Sequence, residues 1–213
     1  MSIFFQHSIN ESTALGIWKI EEPEIFFLEK VPLKQQVSHP YKRLQHLAGR
    51  YLLPFLYDDF PLEEILIADT RKPFLHDEKY HFSISHCANY AAAIASSTSR
   101  VGVDIELVSP AIEKVSGKFL NDHEREVLLA WQPLPRLYIQ LLTVMWSAKE
   151  ALYKWYGEGR VDFRRHLRMT GDDITINADE TLLLPFLFCK EEAIPVKVEV
   201  KLIGDLVLAW IVT

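Results

Sequence analysis

Asp104 and Glu106 stand two residues apart in the run Ser99-Arg100-Val101-Gly102-Val103-Asp104-Ile105-Glu106-Leu107-Val108. Val101, Val103, Ile105 and Leu107 recur with period two, so on a β-strand Gly102, Asp104 and Glu106 share the opposite face. Same-face neighbours on a strand lie about 6.5–7 Å apart at Cα, which lets two carboxylates reach one hard cation. Gly102 leaves space beside them. A strand with an ordinary polar outer face has the same local pattern, so other elements must decide between a divalent-metal site and a solvated surface.

A third acid lies in residues 137–156. Leu141, Met145, Ala148, Leu152 and Trp155 are spaced by four, three, four and three, the mark of one buried helical stripe. Trp146, Lys149, Glu150, Tyr153 and Lys154 then fall on the other side. Pairing of Glu150 with Lys154 on a solvated face accounts for the charges. The two aromatics argue that this face is covered, and covered Lys and Glu need partners such as a phosphate and a metal. Ser85-His86 ends an apolar strand and offers a hydroxyl and an imidazole to phosphate oxygens. The two are no nucleophile pair, because adjacent strand residues face opposite ways and no Gly-x-Ser-x-Gly elbow is present. With Cys87 and Cys189 as the two cysteines, neither at a ligand spacing, zinc chemistry at His81 and His86 is disfavoured.

The elements that must hold these groups follow from pattern and punctuation. Residues 3–28 alternate loosely as strands, and Pro40 opens a helix to about Tyr57 with Arg43 and Arg50 on one side. Residues 65–68, 81–85 and 90–96 read as strands, with Arg71-Lys72-Pro73 as a turn. A helical stretch is expected over 112–119, and Asn121 caps a further helix beginning at Asp122. Pro133 and Pro135 break it, the long helix follows, and Gly157 and Gly159 stop that one. The tail alternates as strands and closes in a hairpin of 196–201 with 206–212. Residues 1–100 and 101–213 thus repeat one order of helices then strands. The pattern predicts an α+β fold of two similar halves, each an antiparallel sheet with packed helices, and a cleft at their seam.

Composition limits the function classes. At 49% hydrophobic and 24% charged, the 213-residue chain reads as an ordinary globular protein. Its longest clean apolar run, 206–212, has strand length and falls far short of the roughly 18 residues of a membrane span. The first eighteen residues carry no Lys or Arg and no signal-peptide pattern, and two cysteines make no disulfide framework, so a cytoplasmic location is expected. A net charge of −6 argues against a nucleic-acid lattice. Positive charge is local, at Lys42-Arg43, Arg50, Arg71-Lys72, Lys149, Lys154 and 160–168, which suits a polyphosphate ligand or an acidic protein partner.

The order Arg71-Lys72-Pro73-Phe74, Phe82-Ser83-Ile84-Ser85-His86, Val101-Gly102-Val103-Asp104-Ile105-Glu106, Phe119 with Glu124, and Trp146-Ser147-Ala148-Lys149-Glu150-Ala151-Leu152-Tyr153-Lys154 resembles the 4′-phosphopantetheinyl transferase superfamily. Within it, the chain is similar to the long single-chain, surfactin-synthetase-activating type, in which two related halves make a pseudo-dimer. The likeness covers about residues 40–160. It implies transfer of the phosphopantetheine arm of coenzyme A to a serine of an acyl or peptidyl carrier protein, releasing adenosine 3′,5′-bisphosphate. By the resemblance, Asp104, Glu106 and Glu150 hold a Mg²⁺ on the diphosphate; Lys149 and Lys154 flank it, with Lys154 neutralising the leaving phosphate. Glu150, directly or through a metal-bound water, is the expected base for the carrier serine. Lys72, Ser85 and His86 match positions that bind the nucleotide end, Phe74 with Leu75 those that touch adenine, and Arg43 and Arg50 the basic positions of the first helix. Glu124 is expected either to support catalysis near the metal or to cap its helix. Arg160, Arg164, Arg165 and Arg168 are expected to help dock the carrier. The chain departs from the family in carrying Glu158 where a Lys often stands between Gly157 and Gly159. A monomer is implied, since the halves satisfy the interface that shorter relatives form between subunits. The alternatives are a different Mg²⁺-dependent enzyme of nucleotides or phosphate esters, and a carrier- or coenzyme A-binding protein without turnover.

Overall fold

The structure, a computed structural model, describes residues 3–32 and 37–213. The chain divides into two compact units, Met1–Ile105 and Glu106–Thr213.

The first unit begins with β1 (Ile3–Asn10) and β2 (Thr13–Lys19). Their turn is closed by the Asn10 side chain, whose Oδ1 accepts from Ser12 N at 2.9 Å. The strands stop there. Residues 24–28, expected as strand, form the short helix α1 (Glu24–Leu28) after Pro23, burying Phe27. Its four-residue apolar run, Ile25 to Leu28, carries no period that tells one turn of helix from a strand. Pro40 occupies the first turn of α2 (Pro40–Leu56), where its missing N–H costs nothing. β3 (Leu66–Ile67) and β4 (Pro73–Phe74) make a small ladder, joined by a turn with Arg71 at φ 67°. β5 (His81–Cys87) and β6 (Tyr90–Ser96) form a hairpin, and the sheet order is β1-β2-β6-β5, antiparallel throughout.

α2 lies on this sheet. Trp18 meets Tyr51 and Phe55 edge-on at 5.1 and 5.8 Å. Ala91, Ala93 and Ala95 are fully buried in the core shared with α2, and their small side chains let the helix approach. At Gly49 the approach is so close that a Cβ would stand 2.5 Å from Ile84 Cγ2. That contact sets α2 over the end of β5 that carries Ser85 and His86.

The division between the units falls within β7 (Val101–Leu107). A 3₁₀ segment, Pro110–Val115, and the short α3 (Ser116–Phe119) together fill the stretch expected as one helix. They lead to α4 (Asp122–Leu129), α5 (Pro135–Tyr156), β8 (Leu167–Met169), β9 (Thr181–Cys189), β10 (Ala193–Ile203) and β11 (Leu206–Val212). The sheet order is β7-β11-β10-β9-β8, with β8 to β11 antiparallel. Leu141, Met145, Ala148, Leu152 and Trp155 of α5 are all buried in the core shared with β9 to β11, as their spacing predicts. Gly157, at φ 77°, ends α5 in the left-handed conformation that glycine adopts without strain. The fold is α+β with antiparallel sheets and packed helices.

Candidate functional site

β7 is no surface strand. Val101 through Ile105 are buried on both faces, and Asp104 is 3% exposed. β5 presents Ser83 and Ser85 to it with the same period of two. Val103 N donates to Ser83 Oγ at 3.1 Å, and Ser85 Oγ donates to Asp104 Oδ1 at 2.8 Å. Ser85 therefore orients a buried carboxylate, whose burial without such donors would be costly. Two residues on, Glu106 is half-buried and its Oε1 accepts from Trp146 Nε1 at 3.2 Å. Both acids of the strand are thus aimed by a donor.

Trp146 belongs to α5, where its ring sits 5.3 Å from Phe119 and 5.7 Å from Phe163; Phe163 also meets Tyr153 at 5.7 Å. This aromatic cover is what the sequence reading expects for the face. Lys149 beneath it is wholly buried, but its partner is not a phosphate. Its Nζ donates to Glu124 Oε2 at 2.6 Å, Phe119 O at 2.7 Å and Phe163 O at 3.0 Å, which uses all three ammonium hydrogens. The expectation that Lys149 flanks the diphosphate is corrected accordingly. Burial pulls Lys149 down to about 8, against the upward pull of Glu124. Glu150 and Lys154 are half-buried on the same helix.

Glu124 is the other end of that buried pair. Asn121 Oδ1 accepts from Glu124 N at 2.9 Å and Glu124 Oε2 accepts from Asn121 N at 2.9 Å, a capping box that starts α4. Its Oε1 accepts from Met169 N of β8 at 2.9 Å. With both oxygens committed and no exposed surface, Glu124 is a capping acid and the counter-ion of Lys149. The reading of it as catalytic support beside a metal is corrected to that role.

In the first unit the two arginines of α2 differ. Arg43 is held by Glu24 of α1, through Nε to Oε1 and through Nη2 to Oε2 at 2.9 Å, and donates to Val37 O at 3.2 Å. The hydrogen bond to Glu24 raises the Arg43 pKa and lowers that of Glu24. This arginine has its anion already. Arg50 is not paired with a carboxylate among the described residues: its Nη1 meets His46 Nδ1 at 3.0 Å, and burial lowers its pKa. Gln45 Nε2 donates to Ala88 O at 2.8 Å and Tyr41 OH to Asn89 Oδ1 at 3.0 Å, tying α2 to the turn that follows His86. Ala88 adopts φ 45° there. Lys72 ends the turn before β4 and Phe74 lies on β4, 36% exposed, whereas the Leu75 side chain is in the core and is not available to adenine. His46, which the sequence reading passed over, carries a local signal: it stands one helical turn before Arg50.

In the second unit, Arg164, Arg165 and Arg168 line a cavity of about 470 Å³ with Asn121, Asp122 and His123. Two of these charges are partly met, Arg164 by Asp122 at 3.8 Å and Arg165 by Asp162 at 3.9 Å. Among the described residues, no group of three or more His, Cys, Asp or Glu side chains is gathered so as to hold a metal ion, and no helix is long and apolar enough to cross a membrane.

A family model of the 4′-phosphopantetheinyl transferase superfamily matches residues 100–211, just over half of the chain. The chain belongs to this superfamily. Among the transferase superfamily's curated proteins, it is similar to enterobactin synthase component D of Salmonella typhi, 33% identical over 120 residues, which are 55% of this chain and 49% of that protein. It is likewise similar to the 4′-phosphopantetheinyl transferase gsp of Aneurinibacillus migulanus, 31% identical over 127 residues, 58% of this chain and 51% of that one. The 4′-phosphopantetheinyl transferase AcpT of Escherichia coli O157:H7 is 29% identical over 128 residues, 59% of this chain and 64% of that one. The chain spans about half the length of the first of these relatives. The transferase superfamily match takes in Asp104, Glu106, Glu124, Lys149, Glu150 and Lys154, and ends short of the α2 and β5 groups.

Proposed function

We propose that this chain transfers the 4′-phosphopantetheine arm of coenzyme A to a serine hydroxyl of an acyl or peptidyl carrier protein, with adenosine 3′,5′-bisphosphate as the other product. The observation that carries the reading is the pair of aimed acids on β7, Asp104 held by Ser85 and Glu106 by Trp146, inside the segment that matches the superfamily. Nucleotide ligands, a carrier partner and a site at the seam of two similar halves belong to the same proposal, as do the long single-chain type and a monomeric state.

The acids suit Mg²⁺. Their donors are hard carboxylate oxygens, and Mg²⁺ binds through one or two carboxylates together with substrate phosphates and water, so no closed protein cage is needed. Asp104 and Glu106, with Glu150, would hold it, and bound there it supplies charge neutralisation on the diphosphate oxygens. The attacked group is one phosphorus of the coenzyme A diphosphate. Its bond to the carrier serine oxygen forms as its bond to the adenosine-side phosphate oxygen breaks, and the serine proton must leave. Glu150 takes that proton in our reading, and Lys154 answers the charge on the departing phosphate. The Glu124–Lys149 pair touches neither reactant. It fixes α5 against α4 and the backbone at Phe163, and so positions Glu150, the next residue along the helix. Lys72, Ser85, His86, Phe74 and Arg50 serve the nucleotide end. Arg160, Arg164, Arg165 and Arg168 meet the acidic surface of the carrier at the rim, and reversing the charges of Arg164 and Arg165 should slow carrier association at low salt.

The test is incubation with coenzyme A, Mg²⁺ and a panel of apo carrier proteins, reading carrier mass. A gain of one phosphopantetheine on the carrier serine supports the proposal, and hydrolysis of coenzyme A or another ester with no gain on any carrier refutes it.

A further inference from the structure

The turn that follows α5 is built on left-handed residues: Gly157 at φ 77°, Gly159 at φ 70° and Arg160 at φ 54°. Glycine adopts this conformation freely, but an arginine there is strained, and such strain persists only where surrounding contacts fix it. The contacts come from Lys190, half-buried directly after β9. Its Nζ donates to Gly159 O at 3.0 Å and to Tyr156 OH at 2.9 Å, and stands 4.5 Å from the centroid of the Tyr156 ring. Tyr156 packs on Phe188 of β9 at 4.7 Å, and its hydroxyl donates to Glu158 Oε2 at 3.3 Å. A charged donor on the carbonyl of the buried Gly159 fixes the peptide that leads into Arg160. Cys189 N, one residue before Lys190, donates to His166 O at 2.8 Å, so the end of β9 ties down the basic segment from both sides.

Arg160 is exposed, and among the described residues no carboxylate stands in ion-pair range of it, whereas Arg164 and Arg165 face Asp122 and Asp162. It stands just past the end of the helix that carries Glu150 and Lys154. We propose that Lys190 is a positioning residue for Arg160, holding it as the cation that meets a carboxylate of the acidic carrier beside the end of α5. This rests on the carrier reading above. A cation with no counter-ion of its own, on a backbone that is not free to turn, loses little to ordering when an acidic partner arrives. Arg160 held in this way sets how well an acidic carrier is captured, and coenzyme A binding does not depend on it.

Steady-state transfer to the best-modified apo carrier of the panel above, at saturating coenzyme A and Mg²⁺, tests this in the wild type, Lys190→Met, Lys190→Arg, Arg160→Gln and the double variant of Lys190→Met with Arg160→Gln. Lys190→Met should raise the carrier KM about fivefold, the upper range for one exposed charge pair, with kcat close to that of the wild type. Lys190→Arg, which can donate to the same carbonyl and hydroxyl, should recover most of that. The double variant should lose no more than Arg160→Gln alone, since Lys190 acts through Arg160, and the differences should fade in high salt. Calorimetric titration of each variant with coenzyme A should give the wild-type affinity, which also reports that the chain is folded. Arg160→Gln, at an exposed site, keeps the test open if Lys190→Met does not fold. An unchanged carrier KM in Lys190→Met or in Arg160→Gln, no recovery in Lys190→Arg, additive losses in the double variant, or equal weakening of coenzyme A would overturn the inference while the transferase reading stands. A wild type that modifies no carrier would end both.

Discussion

Side chains of one chemical type meet different fates here, and their partners decide which. Arg43 and Arg50 lie seven apart on one side of α2, yet the first is neutralised by Glu24 and the second is left to His46. Arg50→Gln should therefore weaken coenzyme A binding by at least tenfold, and Arg43→Gln far less, in the same titration. Lys149 and Glu124 are a pair without exposed surface. Lys149→Met alone strands a buried carboxylate and should cost about 3–5 kcal/mol in denaturant unfolding, while the double variant with Glu124→Gln should recover much of that. Had Lys149 been a diphosphate ligand, its loss would show first in coenzyme A affinity. His46 also gives a pH dependence. The unfolded chain takes up its proton near the ordinary value of 6.5, the folded chain only at about 4, so its contribution to stability is complete above pH 6.5 and lost as pH falls towards 4. Thermal melts of the wild type should fall more steeply across that window than those of His46→Gln.

At the scale of elements, local signals were legible and distant partners were not. Residues 90–96, the Asn121 cap and the Gly157 stop could be read because each rests on neighbours within a few residues: alternation, an Asn before Asp-His-Glu, a glycine after a buried stripe. α1 was missed because its five residues carry no period, and the 3₁₀ segment before α3 because its propensities are those of a helix. The acids of β7 were legible by alternation alone, but their aiming depends on Ser85 and Trp146, 19 residues before and 40 residues after. Lys149 was read as facing a ligand since nothing near it in the chain foretells Glu124, 25 residues away. The close contact of α2 with β5 gives an element-scale prediction. Gly49→Ala should destabilise by about 1–3 kcal/mol by overpacking against Ile84, and Ile84→Ala in the same chain should return part of it, read by chemical denaturation.

For the whole molecule, the superfamily match and the reactive groups coincide: residues 100–211 contain every acid assigned to the metal and the lysine assigned to the leaving phosphate. The groups assigned to the nucleotide end stand outside it, on α2, β4, β5 and the turn before β4. The central claim is that the aimed carboxylates of β7 and Glu150 of α5 serve one phosphoryl transfer. Intact-mass measurement of an apo carrier protein after incubation with coenzyme A and Mg²⁺ tests it most directly, for the wild type, Asp104→Asn and Glu150→Gln. The account predicts one phosphopantetheine added by the wild type, none without Mg²⁺, and rates lowered at least a hundredfold in each variant that still melts as the wild type does. Transfer by Asp104→Asn and Glu150→Gln at the wild-type rate would contradict it.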